Sequence, residues 1–100
     1  MTQTATIGRI VHYVLNDNDV SSIKAVHERD RAAHGVHAGG LNVPSSGDVY
    51  PAVVVRVWGD NPTAGVNLHV MLDGALTYWA TSKQTANEPT RGFWHWPPRV

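Results

Sequence analysis

The pattern of apolar positions along the chain predicts five short β-strands. The longest run of β-branched residues, at 50–58, is the predicted central strand of a small barrel. Strict alternation from Val66 to Asp73 is the clearest strand signal, and it predicts that Val66 and every second residue after it face inward. Asp73 and Gly74 are typical of the tight turn in a β-hairpin. The five predicted strands cover residues 7–15, 50–58, 66–73, 75–82 and 93–96.

Alternation also assigns the two faces of the central strand. Val53, Val55 and Val57 share one face, which we expect to lie in the core. One charged residue in an otherwise apolar run indicates that the other face looks outward or into a polar site. That other face holds Ala52, Val54, Arg56 and Trp58.

One helix is predicted over residues 19–33. The Asn and Asp side chains at 16–19 can accept the free amide hydrogens of a first helical turn, and Gly35 is a natural end. The apolar stripe of the helix is thin, so we expect it to lie on the surface of the barrel. Residues 35–48 are rich in Gly, Ser and Pro and predict a long irregular loop, a type of segment that is usually mobile or functional.

Together these elements favour a mainly β protein. Five strands, short hairpins and an aromatic last strand ended by Pro97 and Pro98 predict a small five-stranded SH3-like, partly open barrel. The helix and the long loop are inserted between strands 1 and 2. An OB-like barrel is the main alternative, followed by a twisted five-stranded sheet with one helix packed on it.

Composition narrows the range of functions. A chain of 100 residues predicts a single domain, with a loose N-terminus at 1–6 and the helix and flexible loop as an insertion at 16–48. Eight basic and eight acidic residues give a net charge of 0, which argues against nucleic acid as the main partner. Cysteine is absent, and no apolar run approaches the length of a membrane span, so we expect a cytoplasmic protein with no membrane partner.

Several short motifs stand out along the chain: GRIVHY at 8–13, GDVYPA at 47–52, VWG at 57–59, NL at 67–68, LDG at 72–74, YWATS at 78–82 and GFWHWPPR at 92–99. Their combination covers nearly the whole chain outside residues 16–46. It resembles a family of small uncharacterised proteins of tailed phages that infect actinobacteria. The resemblance implies a phage origin and a compact β fold, and it brings no activity or catalytic residue with it.

Catalytic and metal-binding motifs are scarce. Of the six histidines, His34 and His37 have a ligand-like spacing, but they flank a glycine-rich loop without the three or four convergent ligands of a metal site. The sequence contains no Gly-x-Ser-x-Gly turn, phosphate loop or dinucleotide fingerprint. We therefore predict a protein that is not an enzyme and that carries no metal and no cofactor.

The aromatic residues are more informative. Four tryptophans exceed what the interior of a 100-residue barrel easily holds, so one or two are expected to line a groove or an interface. Aromatic rings can stack on a base, and arginine can bind a phosphate or carboxylate through two hydrogen bonds. The predicted ligand-binding or interface residues are Tyr50, Arg56, Trp58, Asn67, His69, Trp79, Thr81, Trp94, Trp96 and Arg99.

Three functions remain open at this point. The first is a non-catalytic binding protein of the infected host cytoplasm, which captures a small nucleotide-like ligand or blocks a host defence protein. The second is a virion structural protein, either a capsid decoration or a tail-associated barrel. The third is a barrel that binds single-stranded nucleic acid, against which the neutral charge argues. In either of the first two cases we expect a homo-oligomer, because exposed aromatic surface tends to be buried against another copy.

Overall fold

Five antiparallel strands form one sheet in the computed structural model, which describes residues 3–35 and 39–98. All five predicted strands are confirmed, with ends that differ from the predictions by a few residues. The elements are β1 (Ile10–Val14), α1 (Asp17–His34), β2 (Val49–Val57), β3 (Val66–Met71), β4 (Thr77–Lys83) and β5 (Trp94–His95).

In the strand order, β4-β3-β2-β1-β5, the first four strands form a meander and β5 returns to pair with β1. Beyond the end of β4, Thr85 pairs with Trp94 in a parallel bridge. The Trp94 N–H donates to the Gln84 carbonyl at 3.1 Å, and the Ala86 N–H donates to the Trp94 carbonyl at 2.9 Å. These bonds join the two edges of the sheet at one end, giving a small partly open barrel. The meander differs from the Greek-key order of an OB-like barrel, so that alternative is wrong.

A β-bulge interrupts β2 near its end. Val54 pairs with Leu68, and Arg56 pairs with the preceding β3 residue, Asn67. Val55 is therefore an extra residue on β2 without a partner on β3, and the bulge reverses the alternation of faces beyond it.

The register and the bulge correct the predicted core face of β2. Ala52 and Val54 are 0% and 1% exposed, because both lie on the inner face of the sheet opposite buried partners. Val55 is 37% exposed, Val53 is half-buried, and Val57 beyond the bulge packs against the edge of the core. The predicted core role of Val53 and Val55 is wrong, because an unbroken apolar run carries no alternation from which to choose a face.

The core lies inside the curved sheet. The inward face predicted for β3 is confirmed, since Val66, Leu68 and Val70 are fully buried. β1 contributes both aromatic and aliphatic side chains, and β5 contributes a completely buried tryptophan. The main cluster contains Ala5, Val11, Tyr13, Leu15, Val20, Ile23, Ala52, Val54, Val66, Leu68, Val70, Leu72, Ala80 and Trp94.

The helix begins at Asp17, slightly earlier than predicted, because Asn16 caps it. The Asn16 side-chain oxygen accepts from the Asp19 N–H at 2.8 Å, and the Asp19 carboxylate accepts from the Asn16 N–H at 2.9 Å. This reciprocal pair is a capping box, which satisfies two backbone donors at the helix start. The predicted end is confirmed, with Gly35 as the C-cap at a φ of 59°.

Only the first turns of α1 are buried. Val20 and Ile23 enter the core, whereas most side chains beyond residue 23 are exposed. The helix is therefore attached to the barrel by its N-terminal end and is exposed along the rest of its length. Among the described residues, no helix is both long enough and apolar enough to span a bilayer.

A buried carboxylate fixes this attachment. Asp19 is 1% exposed, and its carboxylate accepts the Tyr13 hydroxyl at 2.6 Å and the Tyr78 hydroxyl at 2.7 Å. Burial raises the pKa of both tyrosines, and the hydrogen bonds to Asp19 raise each pKa further. The three side chains tie the start of α1 to β1 and β4.

The connection at residues 39–48 is irregular, as predicted, but it is anchored. The Asn42 N–H donates to the Asp73 carbonyl at 2.9 Å, beside the turn between β3 and β4. At the other end, the Gly47 N–H donates to the Leu15 carbonyl at 2.8 Å. These bonds hold the connection against the turn and against the end of β1.

The N-terminal segment is also anchored, which corrects the predicted loose N-terminus at 1–6 for residues 3–6, the part that the structure describes. Ala5 is 6% exposed and belongs to the core. The Gly8 N–H donates to the Val54 carbonyl at 2.8 Å, and the Val54 N–H donates to the Arg9 carbonyl at 2.9 Å. The segment therefore runs beside β2. Residues 1 and 2 lie outside the described residues.

Candidate functional site

The bulge turns Arg56 outward, where it stacks on Trp58. In a regular strand without the bulge, alternation would put Arg56 on the same buried face as Val54. The Cζ atom of Arg56 lies 4.1 Å from the ring centroid of Trp58, which is 53% exposed. This is a cation–π contact, and it leaves the N–H donors at the edge of the guanidinium plane free to bind an anion.

Asn67 fixes the Trp58 ring from the neighbouring strand. The Trp58 Nε1–H donates to Asn67 Oδ1 at 3.1 Å, and the Ser82 N–H donates to the same oxygen at 2.8 Å. The register of β3 with β4 shifts beside Asn67, and Ser82 has a φ of 53° in the left-handed region. Because Asn67 is 6% exposed, the prediction that it contacts a ligand is wrong. It supports the ring that carries Arg56.

A groove of about 600 Å³ lies beside Arg56. One wall is the N-terminal segment at residues 4–7, and the other is the end of β2 at residues 55–57 with Gly59 and Asp60. We call it the Arg56 groove. Its volume lies in the range of small-molecule binding sites. Trp58 does not line it and acts through Arg56.

The Arg56 groove combines an apolar wall with two opposite charges. Ile7 is 72% exposed and Val55 is 37% exposed, so both present apolar surface. Two threonine hydroxyls on the N-terminal segment can donate or accept hydrogen bonds. Among the described residues, no carboxylate oxygen lies within 4.0 Å of the Arg56 guanidinium, so Arg56 and Asp60 are not an ion pair.

Three predicted site residues lie elsewhere, on the outer face of the sheet. His69 pairs with Trp79 on one side and with Val53 on the other, and Val53 pairs with Ile10. Ile10, Val53, His69 and Trp79, which we call the outer row, therefore cross four strands. Trp79 is 62% exposed and Ile10 is 54% exposed. Thr81 is exposed farther along β4, and none of these residues lines the Arg56 groove.

Of the two tryptophans near residue 95, Trp94 is buried in the core and Trp96 packs against the core. Trp94 is 0% exposed, so its predicted binding role is wrong and it belongs to the core. Trp96 is half-buried, and its ring centroid lies 5.2 Å from that of Trp94. The Cζ atom of Arg9 lies 4.8 Å from the Trp96 ring centroid and covers part of it.

Tyr50 lies at the opposite end of β2 from Arg56. It is half-buried and separated from Arg56 by roughly 20 Å along the strand. Burial raises the pKa of Tyr50, and the carboxylate of Asp48 raises it further. Tyr50 and Arg56 therefore cannot share one small ligand. Arg99 lies outside the described residues.

Sequence reasoning missed the N-terminal wall of the groove and Asp60. Residues 4–7 carry no periodic pattern, and nothing in them indicates that they run beside β2. Asp60 lies between the predicted strands at 50–58 and 66–73, and nothing in its position indicates a site. The sequence did contain one signal, the charged Arg56 inside an apolar strand. Such a residue indicates either a polar site or a break in alternation, and both are present in β2.

The histidines form one close pair among the described residues. His12 and His95 pair across β1 and β5, with perpendicular rings whose centroids are 5.6 Å apart. Burial lowers the pKa of His95, and the neighbouring His12 lowers it further. Within residues 3–35 and 39–98, no three His, Asp or Glu side chains come together as metal ligands. His37, half of the His34–His37 spacing, lies outside the described residues.

Comparison with known proteins adds no relative. No family model matches the chain, and neither a curated protein nor a solved structure matches it. The candidate site therefore rests on its geometry: a fixed cation, an apolar wall, and hydrogen-bonding groups around a groove of small-molecule size.

Proposed function

We propose that this protein is a non-catalytic binding protein that captures a small nucleotide-like ligand in the Arg56 groove. The single observation that carries the proposal is the stack of Arg56 on Trp58. The resemblance to phage proteins supplies the proposed setting, the cytoplasm of an infected bacterium.

The stack supports anion binding because it removes much of the cost of ordering Arg56. A free arginine side chain loses about 2 kcal/mol of rotamer entropy when it is fixed. In this protein the guanidinium already rests on a ring that Asn67 holds in position. Its remaining donors can bind a phosphate through two parallel hydrogen bonds.

The rest of the groove suits the organic part of such a ligand. Ile7, Val55 and Val57 offer an apolar wall against which a base can pack. The Thr4 and Thr6 residues bring hydroxyl groups to the same groove. A groove with one cation, a short apolar wall and a few hydrogen-bonding groups fits a mononucleotide better than a long polyanion, which needs several cations.

Calorimetry with a panel of nucleoside monophosphates and cyclic nucleotides tests this function. We expect saturable binding of at least one member, weakened by about tenfold or more in Arg56→Gln because a charge-assisted hydrogen-bond pair is lost. Arg29→Gln is the matched control, since Arg29 is an exposed arginine on α1 outside the groove. Absence of binding across the panel, or equal affinity in Arg56→Gln, would contradict the proposal.

Two tryptophan variants test whether Trp58 supports Arg56 specifically or whether any exposed tryptophan affects binding. Trp58→Ala removes the ring under Arg56 and is expected to weaken binding. Trp79→Ala removes a ring of similar exposure that does not line the groove, and it should leave affinity unchanged. Equal effects of the two variants would mean that Trp58 has no specific role.

The outer row favours a second candidate, contact with another copy of the chain. Its residues are apolar or neutral, with no Lys, Arg, Asp or Glu among them, and the whole chain has a net charge of 0. Two copies can therefore approach through this row without electrostatic repulsion. The same contact would serve copies assembled in a virion.

Light scattering after size-exclusion chromatography tests this contact. We expect a concentration-dependent dimer, converted to monomer by the double substitution Ile10→Ser with Trp79→Ser. A wild-type chain that remains monomeric at high concentration would contradict the self-contact, and co-purification with a host protein would point to a different occupant of the row.

A further inference from the structure

We propose that Asp60 makes the Arg56 groove selective for ribonucleotides over deoxyribonucleotides. This inference rests on the proposed function and adds the sugar of the ligand to it. A groove proposed to bind an anion has a carboxylate in its wall, and two negative charges at one site conflict.

The conflict remains because no direct ion pair joins Arg56 to Asp60. Within the described part of the chain, the guanidinium has no carboxylate oxygen within 4.0 Å. The hydrogen bonds recorded in the 59–65 turn use the Asn61 side chain and the backbone, with Thr63 donating to Asn61 at 3.0 Å and 2.7 Å. The Asp60 carboxylate accepts none of them, so its oxygens are available to a ligand.

Hydrogen bonds within the turn restrain the backbone around Asp60. The Ala64 N–H donates to the Asn61 carbonyl at 3.1 Å, and the Trp58 N–H donates to the Gly65 carbonyl at 2.9 Å. Trp58, whose ring supports Arg56, therefore also closes the base of the loop that carries Asp60. The positive and negative groups of the groove are held on one short stretch of chain.

An unpaired carboxylate repels an anion unless the ligand offers it hydrogen-bond donors. A ligand that fits both groups has an anionic end for Arg56 and donors for Asp60. A nucleoside monophosphate meets this requirement through its phosphate and its neighbouring ribose hydroxyls, because the two oxygens of a carboxylate can each accept one hydroxyl hydrogen. Acidic side chains bind the ribose 2′-hydroxyl in this way in dinucleotide-binding proteins.

The test compares AMP and GMP with their 2′-deoxy forms by calorimetry, on the full chain and on Asp60→Ala. For the wild-type chain we expect the ribonucleotide to bind about tenfold to a hundredfold more tightly, the range for one hydrogen bond to a charged group. In Asp60→Ala the ribonucleotide should bind more weakly and the deoxyribonucleotide more tightly, because the repulsion is also removed. The two affinities should then be nearly equal.

Different results would overturn the role of Asp60 and the proposed function of the groove. Equal binding of ribonucleotide and deoxyribonucleotide by the wild-type chain, with both still dependent on Arg56, would overturn the role of Asp60 and leave the groove as the site. Unchanged discrimination in Asp60→Ala would overturn it as well. Absence of nucleotide binding would overturn both. Asp60 is exposed, so its removal is not expected to disturb folding, and a urea unfolding curve checks this.

Discussion

One inserted residue, Val55, determines which side chains of β2 reach solvent. Because it has no partner on β3, Arg56 faces outward beside Trp58 and Val57 turns towards the core. An arginine on the buried face would be costly without a partner. The bulge thus protects the core and creates the candidate site at the same time.

Two neighbouring valines test this account of β2. Val54→Ala should lower the free energy of unfolding by about 1 to 3 kcal/mol, because it removes buried methyl groups and leaves a cavity. Val55→Ala should change it by less than about 0.5 kcal/mol, because that side chain is partly exposed on the bulge. Urea unfolding of the two variants measures both values. Equal losses, or a larger loss for Val55→Ala, would mean that the faces are assigned wrongly.

At the level of elements, one buried carboxylate anchors the start of α1, next to Val20 and Ile23, which enter the core. Asp19 accepts hydrogen bonds from Tyr13, Tyr78 and the Asn16 N–H, so one carboxylate connects the helix start to β1 and β4. A buried charge is tolerated only when its hydrogen bonds are satisfied, and here three donors converge on it.

Removing one of these donors should therefore be costly. Tyr78→Phe is expected to lower the free energy of unfolding by about 1 to 3 kcal/mol, the range for a lost hydrogen bond to a charged group. Tyr50→Phe is the control, since Tyr50 is also half-buried but makes no hydrogen bond to Asp19. Urea unfolding compares them. A loss no larger in Tyr78→Phe than in Tyr50→Phe would show that the cluster does not stabilise the fold.

The pairing of β1 with β5 should make stability depend on pH. The pKa of His95 lies below its ordinary value of 6.5, because burial and then the neighbouring His12 disfavour its charged form. The unfolded chain therefore binds a proton at higher pH than the folded one. The stabilising effect is complete above about pH 6.5 and is lost as the pH falls through the folded pKa.

Urea unfolding at about pH 7.5 and about pH 5.5 measures this loss. We expect the wild-type chain to lose more stability between the two values than His95→Gln does, since the variant has no imidazole to protonate at that position. Equal losses in the two proteins would contradict the assignment to His95.

At the level of the whole molecule, local patterns predicted the elements better than the site. The alternation in β3, the capping residues of α1 and the glycine at its end each have a local physical cause, and all three were predicted. The core face of β2 was not, because four apolar residues in a row at 52–55 give no alternation and a bulge depends on the partner strand. The groove was missed because residues 4–7 form its wall only after β2 folds beside them.

The indole N–H signals in a ¹H–¹⁵N NMR spectrum give the most direct test of the Arg56 groove as a nucleotide site. Trp58 donates from Nε1 to Asn67 and stacks on Arg56, so a phosphate bound by Arg56 should move this signal. We expect the Trp58 signal, assigned with Trp58→Phe, to shift in a saturable way during titration with the tightest nucleotide of the panel. The Trp79 signal should stay in place. A Trp58 signal that does not move at saturating nucleotide, or that moves no more than the Trp79 signal, would contradict the account.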